Sequence, residues 1–131
     1  MEQSLYTRLG GYDIIAAFVD NWLALVVPDA QLAGYFKGMS ADTRRRARQL
    51  IVDFIAERAG GPVNYTGRSM KVLHEGLGIS AGDYTVLMRH AETVLDRLGV
   101  APDARRGLLA LLESLEGDTV EVRAAPSGSG S

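Results

Sequence analysis

The sequence predicts an all-α fold, and three observations predict it. Apolar residues recur at three- and four-residue spacing along most of the chain. No clean apolar–polar alternation and no Asn-Gly or Asp-Gly hairpin signal interrupts that period. Glycine and proline clusters, among them Gly10-Gly11 and Gly60-Gly61-Pro62, cut the chain into segments of helical length.

Taken in order, a first short helix runs from about Ser4, a plausible cap, to Leu9, and Gly10-Gly11 stops it. A second spans Asp13 to about Val27, with Ile14, Phe18, Trp22 and Leu25 facing inward, and Pro28-Asp29 ends it. A short piece from Gln31 to Phe36 and a loop through Gly38 and Ser40 follow. The third long helix covers Asp42 to Ala59, with Ala47, Leu50, Ile51, Phe54 and Ile55 inward. Residues 63–68 read as irregular, and Thr66 or Ser69 opens a short helix carrying Met70, Leu73 and His74. Ser80 and Asp83 have the spacing of a capping box and open a helix to about Leu98. Its inward positions are Tyr84, Leu87, Met88, Ala91, Val94 and Leu95. The last helix runs from Pro102 to about Val120 with Leu108, Leu111, Leu112 and Leu115 inward.

The 131 residues make one domain, expected at 1–122, with 123–131 as a flexible Gly/Ser-rich tail. The chain has no Cys, which excludes disulfides, iron–sulfur clusters, thiolate ligation and a cysteine nucleophile. Fourteen Lys and Arg against sixteen Asp and Glu leave a net charge of −2, which argues against a nucleic-acid partner. The one basic cluster, Arg44, Arg45, Arg46 and Arg48, reads as a solvated helix surface, with one member available to a phosphate or a cofactor carboxylate. The N-terminus has no apolar core of a signal peptide, and no segment has the length of a membrane span. A cytoplasmic protein with no membrane partner is expected.

The middle of the chain is unusual. Five glycines lie between residues 60 and 78, where helical domains ordinarily join their helices by short loops. This connector carries His74, one of only two histidines. One neutral imidazole is enough to hold a haem iron from one side. By sequence alone His74 reads first as an ordinary surface or satisfied polar residue, and His90 as a structural or exposed one. Nucleotide-loop, hydrolase and zinc-protease motifs are absent, as is a Glu-x-x-His pair around either histidine.

Five short motifs then occur in a fixed order. They are Leu5-Tyr6-x-Arg8-Leu9-Gly10-Gly11, Phe36-x-Gly38, Gly60-Gly61-Pro62, Tyr65-Thr66-Gly67-Arg68-x-Met70-Lys71 and His74-x-Gly76-x-Gly78-Ile79. In this order and spacing the chain resembles the group I truncated haemoglobins, the short globins with a two-over-two helical sandwich. The resemblance covers Leu5 to about Leu115. It implies haem b as cofactor, His74 as the iron's proximal ligand and diatomic gases (O₂, NO, CO) as ligands. It implies Phe36, Met70, Ile79 and Leu87 as haem-packing residues, Tyr65 at the haem edge, and Arg68 or Lys71 near the propionates.

On the distal side the chain departs from the family pattern. Leu23, with Trp22 before it, stands where many members carry a ligand-binding Tyr, and Ile51 stands where many carry a Gln. Leu23, Ala47 and Ile51, with Phe54 nearby, are expected to line an apolar and open pocket. A slip in the loop after Phe36 would instead bring Arg48 or Gln49 inward. The resemblance implies a monomeric oxygen-binding or oxygen-transport protein. The alternative is a haem enzyme with the same open pocket: a NO dioxygenase with a reductase partner, a peroxidase-like enzyme acting on small hydrophobic molecules, or an engineered carbene or nitrene transferase. A helical scaffold without haem is the remaining class.

Overall fold

A computed structural model describes residues 3–69, 74 and 77–121. Met70, Lys71, Leu73 and the tail lie outside these residues, and with them most of the short helix expected around His74. His74 itself is helical.

Helix α1 (Leu5–Leu9) is opened by Ser4, whose hydroxyl accepts from the Thr7 N–H. It ends at Gly10, which takes the left-handed region at φ +112° that only glycine adopts at little cost. Helix α2 (Tyr12–Val26) follows at once, then a 3₁₀ turn at Ala33–Tyr35. Helix α3 (Ala41–Arg58) is capped by the Ser40 hydroxyl, 3.0 Å from the Thr43 nitrogen. Helix α4 (Ala81–Arg97) carries both bonds of the expected capping box, Asp83 N–H to Ser80 Oγ at 3.0 Å and Ser80 N–H to Asp83 Oδ2 at 3.2 Å. Helix α5 (Pro102–Glu113) opens on proline, and a single turn, α6 (Glu116–Thr119), closes the sequence of elements.

The four long helices pack in two layers of two. Helix α2 lies against both α3 and α4, and α5 packs on α4 and α1. Phe18, Val19 and Ile15 of α2 meet Val52, Ile55 and Ala56 of α3 and Ala91, Val94 and Leu95 of α4 in one buried cluster. Each Val, Leu, Ile or Phe side chain among them contributes about 1.5–3 kcal/mol on leaving water. Among the described residues no buried side-chain polar atom lacks a hydrogen bond, and no helix is long and apolar enough to cross a membrane.

Two expectations are corrected. The deepest face of α2 is Ile15, Phe18, Val19 and Val26 rather than Ile14, Phe18, Trp22 and Leu25. A helix clamped between two neighbours buries a stripe centred between them, so Ile14, Trp22 and Leu25 are only half-buried. The last helix does not continue to Val120 but turns at Ser114–Leu115. There the Ser114 hydroxyl donates back to the Leu111 carbonyl, a local bond that competes with the helical ladder. The turn lets the chain return, so that the Glu121 N–H reaches the Ile79 carbonyl at 2.9 Å and the Gly78 N–H reaches Glu121 Oε1 at 2.8 Å. Gly78 and Ile79 are thus tied to the C-terminal end of the described residues.

Candidate functional site

A cavity of about 550 Å³ opens between α2 and α3. Leu23 of α2, Phe36 and Met39 of the connecting loop, and Ala47 and Ile51 of α3 form its apolar wall, together with Val27. Asp20, Arg44, Arg45, Arg48 and Gln49 form its polar rim. A second cavity of about 300 Å³ adjoins it, lined by Val27, Ala33, Gly34, Phe36, Lys37 and Arg44. Val27, Phe36 and Arg44 belong to both. The larger volume falls within the roughly 300–1,000 Å³ typical of cofactor and small-molecule sites.

Most of the rim is engaged with other side chains. The Arg48 guanidinium grips Asp20 across the α2–α3 gap with two bonds, 2.8 Å from Nε and 2.9 Å from Nη2. These charge-assisted bonds hold the Asp20 carboxyl below the usual carboxylate range and raise Arg48. Arg45 pairs with Asp42. The Gln49 amide donates to Asp53 Oδ1 at 3.0 Å and to the Tyr12 hydroxyl, which itself donates to Asp53 at 3.0 Å.

The loop that carries Phe36 is fixed from α4. The Asp83 carboxylate accepts from the Tyr35 hydroxyl and, at 2.7 Å, from Gln31 Nε2, besides capping α4. Those donors hold Asp83 below its ordinary pKa, and the facing carboxylate pushes the Tyr35 phenol up to about 12. Seven residues further along α4, His90 Nε2 lies 2.8 Å from Asp29 Oδ2. The Asp29 carboxyl is lowered by that bond first and by the Gln31 N–H second. His90 thus ties α4 to the loop at Asp29.

The other candidate residues are distributed as follows. His74 is half-buried, its carbonyl accepts from the Leu77 N–H at 3.2 Å, and it lines neither cavity. Ile79 is buried and Leu87 half-buried. Trp22 stacks on Phe18 at 6.4 Å and donates its indole N–H to the Leu87 carbonyl at 3.0 Å, outside both linings. Phe54 is buried with its edge to Tyr65 at 5.1 Å and the Arg58 guanidinium 4.8 Å over its ring. Tyr65 donates to the Arg68 carbonyl at 2.6 Å, and burial raises its phenol. Arg68 is exposed and lines neither cavity. The structure brings Leu23, Phe36, Ala47 and Ile51 together, whereas Trp22, Phe54, Tyr65 and Arg68 line neither cavity. Sequence reasoning missed the Asp20–Arg48 clamp and the Asp83 hub. Asp83 was visible only as a cap, and nothing local marks a carboxylate whose second role is met by a tyrosine 48 positions away.

Comparison with known proteins agrees with this architecture. The family model described as bacterial-like globin matches residues 4–121. A group 1 truncated haemoglobin of Mycolicibacterium paratuberculosis is 33% identical over 112 residues, covering 86% of this chain and 80% of the relative. The crystal structure of the Tetrahymena pyriformis truncated haemoglobin in its Fe(III) form superposes with a TM-score of 0.80 at 24% identity, covering 90% of this chain and 98% of that one. The group II truncated haemoglobin of Bacillus anthracis gives a TM-score of 0.83 at 18% identity, covering 98% of each. At those identities the two structures speak to the fold alone. The family model and the mycobacterial relative go further: the chain belongs to the bacterial-like globins and, among them, to the group 1 truncated haemoglobins.

Proposed function

We propose that the protein holds haem b, with His74 as the protein ligand to iron, and binds diatomic gases in an apolar distal space walled by Leu23, Ala47 and Ile51. The observation that carries this reading is the cavity of about 550 Å³ that gathers those three residues with Phe36. Its chemistry suits a large apolar ring with anionic edges: hydrocarbon inside, guanidinium groups at the mouth. When bound, haem supplies an iron centre that takes O₂, NO or CO.

The chain's own contribution follows from its side chains. His74 offers an imidazole, and a ligating imidazole is oriented by the partner of its other nitrogen. Leu23, Ala47 and Ile51 exclude water and offer no N–H or O–H to an occupant. Arg48 and Gln49, which follow Ala47 on α3 and line the same cavity, are engaged by Asp20 and by Tyr12 and Asp53. A buried hydrogen bond to a polar occupant is worth about 1–3 kcal/mol, and this pocket withholds it. Rapid O₂ release and little discrimination against CO are the expected consequences. Peroxidase-like turnover would need a side chain that transfers protons inside the pocket. The wall offers none, which favours binding over that enzymatic alternative.

The test is spectroscopic. Purified protein reconstituted with haem should show a Soret band, and His74→Ala should abolish the histidine-ligated spectrum. Survival of that spectrum in the variant would refute the role of His74. A slow O₂ off-rate in the wild type would refute the donor-free wall of Leu23, Ala47 and Ile51.

A further inference from the structure

Asp20 and Leu23 stand three residues apart on α2, so they share one face of that helix. Ala47 and Arg48 are neighbours on α3, and all four line the larger cavity. The Arg48 guanidinium, bonded to the two Asp20 oxygens at 2.8 and 2.9 Å, is therefore held about one turn of α2 from the Leu23 side of the wall. Its further bond, from Nη1 to Gln49 Oε1 at 3.2 Å, goes to a neutral acceptor. Asp20 is its one carboxylate partner among the described residues. Gln49, by contrast, donates to Tyr12 and Asp53 together. The Asp20–Arg48 pair is also partly solvated, with side chains 56% and 31% exposed, and pairs of that kind add little to stability. The fold therefore survives its loss.

We propose that Asp20 sets the ligand preference of this pocket, by keeping the Arg48 guanidinium out of the space walled by Leu23, Ala47 and Ile51. This rests on the haem reading above. A guanidinium carries five N–H donors and a permanent charge. Turned into a water-poor space, it donates to a gas whose outer atom is partly negative and so favours O₂ over CO. With Asp20 in place those donors are taken up at the rim, and the wall presents hydrocarbon alone. Asp20 acts through Arg48 and is a positioning residue.

The experiment compares wild type, Asp20→Ala and Asp20→Ala with Arg48→Leu, each loaded with haem. Asp20→Ala should slow O₂ release about tenfold, the size of one charge-assisted hydrogen bond to the ligand. It should also lower the C–O stretching frequency of the CO complex, which reports a positive group beside the ligand and which a merely looser fold does not lower. Adding Arg48→Leu should remove both changes. In the apoprotein, NMR should find the Arg48 Nε–H protected from solvent exchange in wild type and unprotected in Asp20→Ala. An unaltered C–O frequency or O₂ off-rate in Asp20→Ala, a change that persists in the double variant, or an unprotected Nε–H in wild-type apoprotein would each overturn the role of Asp20 while leaving haem binding intact. A wild-type chain that takes up no haem would overturn the haem reading itself.

Discussion

Leu23 shows how much a single side chain decides. Its methyl groups occupy the α2 wall of the cavity, where a hydroxyl would give a bound gas a donor. Leu23→Tyr should slow O₂ release by about 10- to 100-fold, the kinetic equivalent of a buried hydrogen bond. Stopped-flow measurement of the O₂ off-rate checks this, and an unchanged rate would place residue 23 away from the ligand. Asp83 is the counterpart in polar chemistry. One carboxylate accepts from Tyr35, Gln31 and the Ser80 N–H. Asp83→Ala leaves those donors with no acceptor and should cost about 1–3 kcal/mol, read as a lowered thermal midpoint. The Tyr35 phenol is raised to about 12. The stability it contributes is therefore fully present below about pH 10, the unfolded value, and is lost as pH climbs through 12. Spectrophotometric titration of wild type against Tyr35→Phe should remove one phenol that ionises near 12.

The elements differ in how far their sequences determine them. Ser4 and the Ser80–Asp83 box open helices α1 and α4 where the sequence places them, because a cap acts within three residues, and Ser40, which the sequence reads only as loop, caps α3. Gly10 ends α1 at φ +112°, and a Cβ there would also stand 2.7 Å from Ile14 Cγ1. Gly10→Ala should consequently destabilise the fold by about 1–3 kcal/mol, measurable as a lower urea midpoint with an unchanged slope. The loop from Asp29 to Phe36 is a different case. Its position depends on Asp83 and His90, which lie more than 50 residues ahead of Asp29 and Gln31 in the chain. Nothing within the loop's own sequence announces those partners. Leucines at helical spacing predict one continuous final helix. That period says which face is apolar, not where a serine turns the backbone.

At the scale of the whole molecule, three carboxyls, Asp20, Asp29 and Asp83, are held below their ordinary pKa by Arg48, His90 and Tyr35 respectively. The folded state binds protons at these sites less readily than the unfolded chain. Their contribution is thus fully present above about pH 4 and fades as pH falls through the lower folded values. Thermal midpoints should decline below pH 4, and a variant with all three changed to Asn should decline less steeply from its own lower plateau. Cofactor binding should act in the opposite direction. A ligand held only by the native state at a thousandfold over its Kd adds about 4 kcal/mol, so calorimetry should find the haem-loaded protein melting well above the apoprotein.

By itself the sequence determined the helical class, the order of the segments, their caps and the aligned motifs that place the chain among truncated globins. These are local properties, set by period, glycine stops and hydrogen bonds a few residues long. Through resemblance it also pointed to Leu23, Trp22, Ala47, Ile51 and Phe54 as pocket residues and to Phe36 as a haem-packing one; Leu23, Ala47, Ile51 and Phe36 line one cavity, and Trp22 and Phe54 do not. Only the tertiary structure decided which polar groups are engaged and which are left over. Arg44, Arg45, Arg46 and Arg48 are nearly equivalent on paper. Asp20, 28 positions from Arg48, engages that one, and Asp42 engages Arg45. Arg44 is left at the cavity mouth because the packing of α2 on α3 brings Asp20 opposite Arg48, and no period in a single helix encodes what a neighbouring helix will place across the gap.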